Sequence, residues 1–204
     1  MFTIRHAILT LCISLILAGC TNTPNSQLNV EWQSHQQRLS QIDHYLVTGK
    51  LGYISPQQRE SLNFQWRHSQ KESQLRLTTF LGQTVLNLTM TPQGAHVETY
   101  DDRTLSGTNA DELVYQLTGL TIPIHALQDW FLGNPTQADH YQFNPTHTIA
   151  SLNKVISGQT WQLDYLSYHD EELNQERIPL PNKMTLQHSD TKLNIVISKW
   201  VLNP

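Results

Sequence analysis

Cys20 offers the clearest chemistry in this chain. It follows Leu17-Ala18-Gly19, and small residues there let a chain lie extended in a peptidase groove, so that cleavage would leave Cys20 first. Its thiol could then accept a diacylglyceryl group. Ahead of it, Met1–His6 carries one fixed positive charge, and Ala7–Leu17 (AILTLCISLIL) is a run of eleven residues with no charge. That length suits the apolar region of an export signal, about 7–15 residues. It falls short of the roughly 20 needed to span a bilayer. An ordinary secretory signal with an accidental cysteine is the alternative. Cys12 would leave with the signal, so no internal disulfide could form. A lone terminal thiol in a disulfide-forming compartment is best explained as an acylated one.

Other reactive residue types lead nowhere comparable. Ten histidines are scattered from His6 to His188, with no i, i+4 pair flanking a glutamate and no cysteine left to join them, so no metal site is expected. Neither a G-x-S-x-G elbow nor a phosphate-cradling glycine loop occurs. Asp101-Asp102 and Asp170-Glu171-Glu172 read as solvated loop charges. The residues call for no cofactor and no enzyme.

Thr79-Phe80-Leu81-Gly82-Gln83 is anomalous in a different way. It turns a hairpin running from Gln74 to Met90, and turns favour Gly, Asn, Asp, Pro and Ser. Gly82 obeys that rule, whereas Phe80 and Leu81 break it. The pair either folds back under a neighbouring loop or forms an exposed apolar tip that dips into a bilayer. Removing such side chains from water is worth ~1.5–3 kcal/mol each, enough for reversible insertion and too little for anchoring.

The elements around these residues follow from periodicity. Thr21–Gln27 is polar and aperiodic, and residues 20–28 read as a lipidated terminus and flexible tether. From residue 29 to 204 a single domain is expected. Asn29 caps a helix through about Asp43, with Trp32, Leu39, Ile42 and Leu46 forming one apolar stripe. The period then drops to two around Tyr45–Tyr53, Leu62–Trp66, Leu75–Leu77 and Leu86–Met90. Helices are expected at Asp111–Thr118, capped by Thr108 or Asn109 and stopped by Gly119, and at Ile124–Leu132, closed by Gly133-Asn134-Pro135. Strands return at Tyr141–Phe143, Ile149–Ile156, Trp161–Tyr168, Lys183–His188 and Leu193–Val201, with turns at Ser157-Gly158 and Ser189-Asp190. The sum is a curled antiparallel sheet with helices at its start and middle.

Composition narrows the partners. Removing nineteen residues from 204 leaves 185, suited to one well-buried domain. The removed segment holds one Arg and no acid, so the net charge moves from −4 to about −5. A nucleic-acid partner would call for a basic surface, so none is expected.

Leu17-Ala18-Gly19-Cys20 resembles the lipobox of bacterial lipoproteins at all four positions. Resemblance to that class implies three acyl chains on Cys20, and Thr21 in place of aspartate implies outer-membrane sorting. The whole chain resembles the family of the outer-membrane lipoprotein receptor LolB. The likeness is carried by Trp32-Gln33, His35-Gln36-Gln37, Tyr53-Ile54-Ser55, Trp66, Leu81-Gly82, Leu117-Thr118-Gly119, Ile122-Pro123, Trp130, Leu132-Gly133, Trp161 and Trp200. It implies an incompletely closed antiparallel β-barrel with a helical lid over an apolar cavity. It also implies a receptor that takes acylated lipoproteins from the periplasmic carrier LolA and releases them into outer-membrane lipid without a nucleotide; a monomer is expected because amphipathic strands and helices occupy nearly all of the chain after the tether. The family's membrane-inserting leucine falls on Leu81, within Phe80-Leu81-Gly82; the family often has proline where Phe80 stands. Trp66, Leu77 and Leu88 are candidate cavity liners or plain core. A lipoprotein binding another lipid or a cell-wall component, and an enzyme with an unrecognised site, are the rival readings.

Overall fold

Alternating apolar side chains build a single sheet. The computed structural model describes residues 25–118, 122–156 and 158–203. The expected signal segment, Cys20, the helix stop Gly119 and the turn residue Ser157 lie outside them. Among the described residues, eleven strands run β1 Tyr45–Ile54, β2 Arg59–His68, β3 Ser73–Thr78, β4 Thr84–Thr91, β5 Gly94–Thr99, β6 Thr104–Gly107, β7 His140–Phe143, β8 Ile149–Ile156, β9 Gln159–Leu173, β10 Glu176–His188 and β11 Thr191–Leu202. Every neighbouring pair is antiparallel, in the order β6-β5-β4-β3-β2-β1-β11-β10-β9-β8-β7. β6 and β7 stay unjoined, so the barrel is open.

One face of this sheet is the core. Paired residues share a face, and Trp200, Val47, Trp66, Leu75, Leu88 and Val97 lie in one register row, all buried. Among the described residues, three helices accompany the sheet: α1 Trp32–Leu39, α2 Ala110–Thr118 and α3 Ile124–Phe131. α2 packs on β5 and β6. α3 enters the hollow of the sheet, held by Tyr45 Oη donating to Gln128 O at 2.7 Å and Tyr165 Oη donating to Trp130 O at 2.8 Å.

The first and last strands meet at the sheet's centre, where β1 pairs with β11 and a bulge falls between Thr48 and Gly49. A Cβ at Gly49 would collide with Val196 O and stand 2.7 Å from Phe64 Cε1. Only glycine fits that approach.

Several expectations need correction. α1 is capped by Glu31, whose carboxylate accepts the Gln33 and Ser34 N–H groups at 2.9 and 2.7 Å. Asn29 instead contacts His147 Nδ1 at 2.6 Å. α1 stops at Leu39, and Leu46 belongs to β1; the stripe ran on because the start of β1 happens to continue the helical spacing. Asp170-Glu171-Glu172 lie within β9 and pair with Pro179, Ile178 and Arg177 of β10 respectively. The two strands turn over Asn174 and Gln175, both at positive φ. β10 begins well before the expected Lys183 and includes Pro179 and Pro181. β10 pairs with β11 only from Lys183 onward, so their missing N–H groups fall where no ladder is needed. β5 and β6 went unread, being short and broken by the turn at Asp101-Asp102.

Candidate lipid-facing site

The β3–β4 hairpin sets the tip. Gly82 N–H donates to Thr79 O at 3.0 Å, and Thr79 N–H donates to Gln83 O at 2.9 Å. Gly82 itself has φ +86°. This is a three-residue hairpin loop, a tight turn followed by a left-handed bulge glycine. Phe80 and Leu81 occupy the two central turn positions, which project furthest from the strands. They are 83% and 73% exposed, so they do not fold back under a neighbouring loop. A Cβ on Gly82 would meet nothing within 4 Å, so its role is the dihedral and not the space. The base is braced by Asn63 Nδ2 donating to Thr79 O at 3.1 Å and by Arg76 donating to Thr84 Oγ1 at 2.9 Å.

The inner face is the second apolar surface. Trp66 and Leu88 are fully buried in it, and Leu77 is half-buried in the row of Phe64 and Leu86. Phe131 of α3 stacks on Phe64 with centroids 5.8 Å apart and meets Trp66 edge-on at 5.2 Å. The lid helix thus fills the hollow with its own aromatic ring. The indole N–H groups of Trp66 and Trp161 are buried without a protein acceptor among the described residues. Such a donor costs roughly 1–3 kcal/mol. Leaving it unpaired is tolerated here among packed apolar groups.

The electrostatics keep this interior neutral. Burial pushes the Tyr45 and Tyr165 phenols well above their usual range, reinforced at Tyr45 by Asp129. Burial also lowers His68, and it lowers His35, with Arg38 adding to the effect, to about 4. Sequence reasoning missed His35: it reads as one of a polar Gln-rich helix, yet it is buried beneath Trp32, ring centroids 5.8 Å apart.

The start of the domain is pinned to β9. Ser26 N–H donates to Tyr168 O at 2.7 Å and its hydroxyl bonds to Asp170, while Val30 N–H donates to Thr146 O at 3.1 Å. Residues 25–28, expected in the tether, therefore lie along β9.

These features occur in a chain with well-defined relatives. The family described as Outer membrane lipoprotein LolB matches residues 43–200. The Outer-membrane lipoprotein LolB of Vibrio campbellii is 54% identical over 198 residues, covering 97% of this chain and 98% of its own. That of Vibrio cholerae is 50% identical over 201 residues, covering 98% of both. Among solved structures, a LolA superfamily protein from Nitrosomonas europaea superposes with a TM-score of 0.54 at 11% identity, covering 86% of this chain and 94% of that one, which shows a shared fold. With one family spanning the sheet from before β1 to Trp200, and relatives at half identity or better along nearly the full length, this chain belongs to the outer-membrane lipoprotein LolB family.

Proposed function

We propose that this protein accepts acylated lipoproteins from the carrier LolA and inserts them into the outer membrane, with Cys20 acylated to hold the domain at that membrane. One observation carries the reading: a LolB-family chain bears a hairpin with two large apolar side chains turned into solvent. The inner face receives the acyl chains. Trp66, Leu77 and Leu88 contact them once Phe131 swings away with α3, so cargo and lid compete for the same apolar surface. Swapping a tethered ring for an acyl chain exchanges one apolar contact for another, which keeps acceptance and release both reversible. The hand-off runs downhill if the cavity outbinds the carrier and the bilayer outbinds the cavity, each tenfold step being about 1.4 kcal/mol. Phe80 and Leu81 assist the second step, at ~1.5–3 kcal/mol per side chain removed from water.

The test is a two-stage transfer. LolA loaded with an acylated lipoprotein is mixed with the purified protein, then with liposomes, without nucleotide. Cargo should move to this protein and then sediment with the liposomes. Cargo that stays on LolA would overturn the reading. Intact-mass analysis of membrane-purified protein should show a chain beginning at Cys20 with diacylglyceryl and acyl additions; a terminus elsewhere would remove the anchor from the scheme.

A further inference from the structure

The outer face of the sheet, opposite the helices, carries a charge pattern that cargo transfer does not use. At one end of the central strands, Arg59 and Lys192 flank Ile54 in register. Two outer-face rows along, Lys50 pairs with Val196 and Val196 with Lys183. In the next row Arg76 lies across Gln65 and Thr48 from Lys199, and Arg67 pairs with Leu46 beyond. All seven are exposed and alternate with inner-face residues. They are seven of the chain's thirteen Lys and Arg residues, in a protein of net charge −4. The two carboxylates on these five strands, Glu60 and Glu176, are in register with Tyr53 and Leu173 and so belong to the inner side. Ion pairs among the described residues are His96–Glu98, Arg103–Asp101, Lys154–Asp139 and Arg177–Asp170, and none involves any of these seven side chains.

A merely solvated face of a net-negative chain would mix signs. This one does not. At about 4.8 Å between strands and 6.6 Å between alternate residues, the cations spread over a patch roughly 20 Å across. Thr48, Asn63, Gln65 and Thr78 stand between them and, with Lys50 and Arg76, line a shallow groove of about 510 Å³. A protein interface would centre on aromatic anchors in such a place. The patch has none. It is also continuous with the apolar tip, since Arg76 braces the base of the hairpin that bears Phe80 and Leu81. Diffuse positive charge beside an exposed apolar tip suits a lipid surface.

We propose that the outer face of β3-β2-β1-β11-β10 docks on an anionic phospholipid surface through Lys50, Arg76, Lys183, Lys199 and their neighbours, setting how the domain lies against the membrane. The proposal shares with the proposed function only the premise that the protein works at a bilayer.

Residue-resolved lysine acylation tests it on the membrane-purified protein, free of cargo. The protein is reconstituted in phosphatidylcholine vesicles with or without about 30 mol% phosphatidylglycerol. Labelling of Lys50, Lys183, Lys192 and Lys199 should fall about threefold or more in the anionic vesicles. It should recover in about 0.5 M NaCl, where the Debye length is only a few Å. Lys71 and Lys154, off this face, should label equally throughout. Equal labelling of the four lysines in both vesicles overturns the proposal. So does protection that appears only when LolA is added to phosphatidylcholine vesicles, which would assign the face to a protein partner. A Lys50→Gln/Lys183→Gln/Lys199→Gln variant should lose the anionic-lipid effect while still accepting cargo from LolA. Because the footprint needs no cargo, its failure and a failed transfer assay are separate results.

Discussion

Leu81 and His35 show how differently single side chains enter the behaviour of this protein. Leu81 stands at a turn position with its side chain in solvent, so Leu81→Glu should leave the unfolding midpoint within ~0.5 kcal/mol of the parent. An ionised carboxylate is costly among acyl chains, so the variant should accept lipoprotein from LolA and deliver it poorly to liposomes. Leu81→Phe should restore most delivery. Normal delivery by Leu81→Glu would remove the membrane role from the tip. His35 acts through burial instead. Its folded pKa is about 4 against an ordinary 6.5, so between those values the unfolded chain binds a proton that the native chain does not. Stability therefore declines as pH falls from about 6.5 toward 4. Urea unfolding at pH 7 and pH 5 should show the parent losing up to about 2 kcal/mol more than a His35→Gln variant. Identical pH slopes would mean that His35 is not buried neutral. The two residues also differ in legibility. Phe80 and Leu81 announce themselves by breaking turn preferences, whereas nothing local marks His35 as the buried member of a polar helix.

Elements differ in how much of themselves they write into a short window. β8 runs from Ile149 to Ile156 as expected, and α2 is capped by Asn109 Oδ1 accepting the Asp111 N–H at 2.9 Å, one of the two caps expected. The β9–β10 ribbon was hidden by carboxylates and prolines whose tolerance depends on which partner strand is absent. The outer cationic face was hidden more completely, because its residues lie between positions 50 and 199 and gather only through register. The β1–β11 seam has the same non-local character, and it yields a sharp contrast between two glycines of one strand. Gly49→Ala must push apart Val196 O and the Phe64 ring, and should cost at least about 2 kcal/mol in chemical denaturation. Gly52→Ala meets only Asn194 at 3.7–4.0 Å and should change stability by less than ~0.5 kcal/mol. Equal effects would show that the seam yields more easily than its geometry implies.

At the scale of the whole molecule, the open edges decide association. β7 is only four residues long, and on it Tyr141 and Phe143 are partly covered by Trp32 at 6.4 and 5.2 Å. β6, also four residues, lies under α2. Short, partly covered edges discourage strand pairing between copies. The protein without residues 1–20 should therefore sediment as a monomer at micromolar concentration. An obligate dimer would show that a partner closes the barrel. The central seam also governs the order of events in folding. β1 hydrogen-bonds on one side to β2, its neighbour in sequence, and on the other to β11, about 150 residues later. A chain delivered N-terminus first can form the β1-to-β6 meander early, but it must wait for nearly its entire length before the second flank of β1 finds a mate. During that interval β1 is a bare edge of long-range topology, the kind that folds over milliseconds to seconds and invites mispairing. The protein is thus most in need of a holdase while it is itself still in transit, before it has any capacity to shelter another chain.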